Sequence, residues 1–252
     1  MGTWSTFDVR GDAEVGMRSA VVDAAIAAGT TLFDTSPMYA RSPGVLATVL
    51  EGRRDRVLIA DKVWTPSASA GREQMRTALA RFGCVDVYQI HNLVAWEEQL
   101  PQLEALRADG TVQVIGATHY AHSAFPELMR VMRTGRIQTI QIPYSVADRV
   151  VQDGVLPLAH DLGLGVLVMQ PLGTGKLTRK PPAAEDLARL DAFGVTTWAQ
   201  ALLKWILSDT RVHCVIPATS KPERATENAH AGNPPWFDAE TREYVQRIAL
   251  SV

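Results

Sequence analysis

The sequence predicts a closed α/β barrel, the (β/α)8 or TIM barrel, built as a single domain over residues 1–252. Three observations predict it. Short apolar runs such as Leu164-Gly165-Val166-Leu167-Val168-Met169 read as parallel strands buried on both faces, where a half-exposed sheet would alternate. Helical stretches separate these runs. The polar residues that end four successive runs, Asp34, Lys62, His91 and Thr118, recur at intervals of 28, 29 and 27 residues. Such a period holds one strand, one helix and two loops, and right-handed crossovers wrap these units into an open doubly wound sheet or a barrel. Polar residues at nearly every strand's C-terminal end favour the ring. So does the absence of Gly-x-Gly-x-x-Gly after the first strand, where an open dinucleotide-binding sheet usually carries it.

Taken in order, an alanine- and valine-rich helix is expected over 15–28, stopped by Gly29. A strand over 31–34 follows, then a helix over 43–51 and a strand over 57–62. The next helix, 71–82, leads to the strand 86–91. A helix over 101–109 opens on Pro101, a residue suited to the first helical position, and stops at Gly110. Strand 112–118, helix 123–133, strand 138–143 and helix 154–162 continue the pattern, with Gly135 and Gly163 as stops. Strand 165–170 runs into a long loop over 171–193. Helix 196–208, strand 212–217, a short helix over 222–229 and an amphipathic helix over 238–249 complete the chain. Gly2-Thr3-Trp4 reads as the tail of a first strand, with the N-terminal hairpin and most of that strand apparently lacking. Apolar surface at the barrel bottom near Val57, Val85 and Val112 is therefore expected to lose cover.

Composition narrows the function. Hydrophobic residues at 46% and charged residues at 21% suit a globular protein with a sizeable core. A formal charge of −2 argues against a general nucleic-acid or membrane-surface role. No apolar run approaches the roughly 20 residues needed to span a bilayer. Cys84 and Cys214 lack metal-ligand spacing and read as reduced, buried thiols, and with no signal-peptide pattern the expected location is cytoplasmic.

The stretch Leu32-Phe33-Asp34-Thr35-Ser36-Pro37-Met38-Tyr39 delivers a carboxylate at a strand end and a tyrosine five residues later. Lys62 and His91 end the next two strands. A lysine ending an apolar strand is costly to desolvate unless a carboxylate pairs with it, and Asp34 stands one strand away. If Tyr39 leans over Lys62, the ammonium favours phenolate and is expected to lower the phenol's pKa from about 10. His91 could then hydrogen-bond an oxygen held by Tyr39, an arrangement suited to delivering a proton to a carbonyl. Singly, each residue has a plainer reading. Asp34 could cap a turn through Thr35-Ser36, Tyr39 could be a loop aromatic, Lys62 could pair with Asp61 on the rim, and His91 could be a core histidine. Four such residues at the same ends of successive strands point to one site.

These strand ends resemble the aldo/keto reductase family. The likeness continues through Gly110-Thr111-Val112-Gln113-Val114-Ile115-Gly116, Gln141-Ile142-Pro143-Tyr144-Ser145 and Pro171-Leu172-Gly173-Thr174-Gly175-Lys176-Leu177, and ends with Ile216-Pro217-Ala218-Thr219-Ser220-Lys221-Pro222-Glu223-Arg224 and Glu227-Asn228. It implies a (β/α)8 barrel that reduces a small-molecule aldehyde or ketone with NADPH, or with NADH, and without a metal. It implies Tyr39 as general acid, Lys62 as the group that tunes it, Asp34 as the holder of Lys62 and His91 as the group that orients the carbonyl. On the cofactor side it assigns Thr3 and Trp4, Thr118 and His119 (where the family usually has Ser and Asn), and Gln141 for the carboxamide. Gln170, Pro171, Leu172, Gly173 and Gly175 match the loop over the pyrophosphate. Ser220, Lys221, Arg224, Glu227 and Asn228 match the adenosine end, where a helix start with two cations suits a phosphate. Met169 takes the place of an aromatic ring, Ala218 that of a lysine, and Trp64 and Trp96 are candidates for the substrate-pocket wall. A different class remains open beside this one, a non-catalytic nicotinamide-nucleotide-binding regulatory subunit.

Overall fold

The computed structural model describes residues 1–251. Among them, seven strands pair in chain order, every pair parallel: β1 (Leu32–Asp34), β2 (Leu58–Val63), β3 (Val85–His91), β4 (Val112–Thr118), β5 (Thr139–Pro143), β6 (Gly165–Met169) and β7 (Cys214–Val215). The ring is closed by one residue. Gly2 bridges Asp34 of β1 on one side and Ala218, just past β7, on the other. Its N–H donates to the Pro217 carbonyl at 3.0 Å, while Asp34 N–H donates to Met1 O at 2.8 Å and Thr3 N–H to Asp34 O at 3.0 Å. A Cβ on Gly2 would lie 2.9 Å from the Ile216 carbonyl oxygen, so the close approach requires glycine.

The barrel bottom does not lose its cover. Val57, Val85 and Val112 are 5%, 0% and 1% exposed. A cavity of about 680 Å³ lies between the starts of β1 and β7, lined among others by Met1, Leu32, Cys214 and Phe237. Strand β7 is itself shorter than the expected 212–217. Pro217 has no N–H to continue a ladder, His213 meets Val166 through one backbone bond and its ring Nδ1, and Ile216 makes a single flanking bond to Val168.

Helices α1 (Asp12–Ala27), α2 (Ser42–Val49), α3 (Ala68–Phe82), α4 (Trp96–Ala108), α5 (Phe125–Arg133), α6 (Val155–Asp161) and α8 (Trp198–Leu207) alternate with the strands, α7 (Ala184–Ala188) lies in the long loop, and α9 (Pro222–His230) and α10 (Ala239–Ser251) follow β7. Their buried faces, such as Val21, Val22 and Ala25 of α1 and Leu100 and Leu103 of α4, share one core with the strands. Side-chain caps fix two starts. Ser67 Oγ accepts the Ala70 N–H ahead of α3, and Thr197 with Gln200 forms a capping box on α8. Helix α4 begins five residues before Pro101, which therefore sits inside it. Asn92, Leu93 and Ala95 take left-handed backbone, so the chain turns into the helix early, and Glu97 and Glu98 favour its N-terminal dipole. Cys84 is exposed, with an Arg54 guanidinium N–H 2.9 Å from its sulfur, and Cys214 is half-buried; neither is the buried thiol expected. Among the described residues no helix is long and apolar enough to cross a membrane.

Candidate active site

Strand register places the first two site residues. Asp34 lies opposite Ala60, so Lys62, two residues further along β2, points to the same side just beyond it. Lys62 Nζ donates to Asp34 Oδ2 at 2.6 Å and to the Thr35 carbonyl at 2.7 Å. Both residues are buried, at 0% and 2% exposure. Desolvation pulls the lysine's pKa down, but Asp34 and Tyr39 outweigh it and the net shift is upward. Lys62 is thus a fixed cation held in the barrel.

Tyr39 ends a short 3-10 turn, Pro37–Tyr39, that Pro37 and Ser36 shape together. Proline supplies the first helical φ, and Ser36 Oγ accepts the Met38 N–H at 3.2 Å. The turn brings the Tyr39 ring to 5.3 Å from Lys62 Nζ. The phenol's pKa lies above its ordinary value, not below it. Burial raises it more than the Lys62 ammonium lowers it. Tyr39 therefore keeps its proton at neutral pH, with a cation beside it to receive the charge when the proton leaves.

His91, at the end of β3, completes the cluster. Its ring meets Tyr39 edge-on, with centroids 5.7 Å apart and planes at 88°, and its Nδ1 is 2.7 Å from Ser36 Oγ. Burial, with the positive Lys62 and the His119 ring nearby, pushes its pKa down to about 3. It is neutral under ordinary conditions. Asp34, Tyr39, Lys62 and His91 are thus brought together as a donor phenol, a buried ion pair and a neutral imidazole. Such a group can hold an oxygen atom, protonate it and stabilise the phenolate left behind.

Two neighbours escaped the sequence reading. Ser36 entered it only as a turn residue, although Ser-Pro before a short helical turn is an N-cap signal. Asp61 figures only in the plainer reading of Lys62 as half of a rim pair, and at 2% exposure it rules that reading out. Successive strand residues face opposite sides, so Asp61 points away from Lys62. Its Oδ1 accepts the Lys62 backbone N–H at 2.8 Å, and burial raises its pKa to about 7.

The residues assigned to a dinucleotide lie along the same rim. Thr118 is buried at the end of β4, in register with His91 and Gln141. Gln141 is 1% exposed, and its Oε1 has no hydrogen-bond partner among the described residues. His119 stacks on Tyr120 and accepts the Ala121 N–H through Nδ1. After β6, Gln170, Gly173, Thr174 and Gly175 all take positive φ, which turns the loop sharply around Pro171 and Leu172. Lys221 caps α9 and Arg224 follows in its first turn; both are exposed, and among the described residues neither forms an ion pair. Ser220 is exposed and Glu227 half-buried, and Asn228 borders the cavity behind Met1. Thr3 is committed to the frame, its hydroxyl donating to Asp34 O at 2.9 Å, whereas Trp4 is exposed. An orphaned carboxamide acceptor, a tightly turned glycine loop and two unpaired cations at a helix start fit the parts of a nicotinamide dinucleotide.

The two tryptophans part company. Trp64 is exposed just past β2, its backbone paired with the Gln74 side chain. Trp96 has its partners on the next helix. Its indole N–H donates to Glu127 Oε1 at 2.6 Å and its ring carries the Arg130 guanidinium, tying α4 to α5.

The aldo/keto reductase family model matches residues 1–249. A methylglyoxal reductase from Escherichia coli is 27% identical over 222 residues, covering 83% of this chain and 77% of that protein. An aldo-keto reductase from Strobilurus tenacellus is 27% identical over 259 residues, covering 86% and 76%. The crystal structure of an aldo/keto reductase from Klebsiella pneumoniae in complex with NADP and acetate superposes with a TM-score of 0.81 at 25% identity, covering 98% of this chain and 89% of that one. With the curled parallel sheet and its strand-end residues, these matches place the chain in the aldo/keto reductase family, and it is an oxidoreductase.

Proposed function

We propose that the protein reduces an aldehyde or ketone to an alcohol with NADPH, using Tyr39 as the general acid. The observation that carries this reading is the Lys62–Asp34 ion pair sealed in the barrel beside a protonated phenol. A buried ion pair is a costly way to stabilise a fold, and its cost is explained if Lys62 serves Tyr39. His91, neutral and edge-on to that ring, is suited to hold the carbonyl oxygen. Tyr39 Oη–H then passes its proton to that oxygen, and the phenolate that forms is stabilised by Lys62. NADPH, when bound, would supply the hydride. In this reading Gln141, whose Oε1 is orphaned, accepts from the carboxamide, the loop 170–175 covers the pyrophosphate, and Lys221 and Arg224 meet a 2′-phosphate. NADP in the Klebsiella pneumoniae relative supports the same cofactor here.

Titrating the protein with NADPH by fluorescence and then assaying a panel of aldehydes tests the reading. Saturable binding with turnover is expected. Binding without turnover on any aldehyde would favour a nucleotide-binding regulatory subunit. Lys221→Ala and Arg224→Ala should each raise the KM for NADPH about tenfold or more, the effect of removing one charge-assisted bond, and leave that for NADH nearly unchanged. Equal effects on both cofactors would mean that these side chains do not read the 2′-phosphate.

A further inference from the structure

A neutral imidazole offers one donor and one acceptor, so the tautomer decides what His91 can do for a carbonyl oxygen. Only Nε2–H can donate to it if Nδ1 is engaged elsewhere. In this fold Nδ1 is engaged, 2.7 Å from the hydroxyl of a fully buried serine, Ser36. The same oxygen already accepts the Met38 N–H at 3.2 Å. With a lone pair of Oγ committed to that N–H, its single hydrogen has one partner within reach, His91 Nδ1. Satisfying every group then gives one polarity: Met38 N–H to Ser36 Oγ, Ser36 Oγ–H to His91 Nδ1, and a free Nε2–H.

We propose that Ser36 is a positioning residue that fixes His91 as the Nε2–H tautomer, so that the ring donates to the substrate's carbonyl oxygen. The proposal rests on His91 being the carbonyl-binding group. It adds a link between the two halves of the site. Ser36 is the N-cap of the turn that carries Tyr39 and the partner of the ring on β3, so one hydroxyl sets the position of the acid and the polarity of its neighbour. The groups facing the imidazole are Tyr39 across its edge, with Lys62 and His119 close enough to disfavour its charge. None of these offers Nδ1 an alternative proton among the described residues.

The test is two-bond ¹H–¹⁵N correlation spectroscopy of His91 in the whole protein, with steady-state kinetics on the same samples. Wild type is expected to show a pyrrole-type Nε2 and a pyridine-type, hydrogen-bonded Nδ1. Ser36→Ala should move the Nδ1 resonance to its unbonded position and lower kcat about tenfold, the consequence of losing one neutral orienting hydrogen bond, with NADPH affinity unchanged. Ser36→Thr, which keeps the hydroxyl, should restore both. A pyrrole-type Nδ1 in wild type overturns the proposal without any variant having to fold. So does a fall in kcat with an unmoved Nδ1 resonance, which would assign Ser36 to the turn alone. The tautomer is read without turnover, so its failure is distinguishable from failure of the reductase reading.

Discussion

Tyr39→Phe should abolish carbonyl reduction while leaving NADPH binding nearly intact. The substitution removes one hydroxyl and keeps the ring that packs edge-on against His91. General acid catalysis alone is typically worth about 10² to 10⁴ in rate. Loss of one of the two groups holding the carbonyl oxygen adds to that, so kcat should fall by about 10⁴ or more. Cofactor affinity is expected to be insulated because most of the residues proposed to hold the dinucleotide lie on β5, the loop after β6 and α9. Fluorescence titration and single-turnover kinetics measure the two separately. Retention of more than about a tenth of wild-type turnover would sink the assignment, given that expected loss.

The second large effect concerns the ion pair under the tyrosine. Lys62→Met leaves the Asp34 carboxylate buried without its partner, and Asp34→Ala leaves the ammonium so. Each should destabilise the fold by about 3–5 kcal/mol, the usual consequence of stranding a buried charge. The double variant, with both charges gone, should be markedly more stable than either single one and still inactive. Denaturant melts and turnover assays on the three variants read this out. Additive destabilisation would show that Lys62 and Asp34 are not coupled. The sign with pH follows from the raised pKa of Lys62. The pair's contribution is intact below the unfolded lysine's 10.5 and fades only as pH climbs through the higher folded value.

Much of this was legible in the sequence because barrel architecture ties chemistry to period. Continuous apolar runs ending in Asp34, Lys62 and His91 indicate both the parallel strands and the end at which their side chains gather. What stayed hidden depends on three-dimensional detail. No local signal shows that Gly2 alone can close the ring, since the closure depends on Asp34 and Ala218 flanking one slot. The direction of the Tyr39 shift was misjudged because the nearby cation is visible in the sequence and the desolvation that outweighs it is not. Nor does the place of Trp96 after a strand reveal its partners, Glu127 and Arg130, which lie more than thirty residues on. The plainer reading of Lys62 as a rim pair with Asp61 fails because adjacent residues of a strand face opposite sides.

The central claim is that Tyr39 delivers the proton and Lys62 tunes it, and the pH dependence of kcat in wild type and Lys62→Met tests it most directly. His91, held near 3, has no proton to lose at neutral pH, and burial holds the Tyr39 phenol above its ordinary range. Wild-type activity should therefore hold across neutral pH and decline only on the alkaline side, as the phenol ionises. Removing the ammonium removes the one influence that lowers the phenol's pKa, so in Lys62→Met the alkaline limb should move to still higher pH on a much reduced kcat. An alkaline limb that stays in place in Lys62→Met, or a wild-type limb near pH 7 that persists when Asp61, itself raised to about 7, is replaced by Asn, would contradict the account and point to a proton donor other than Tyr39.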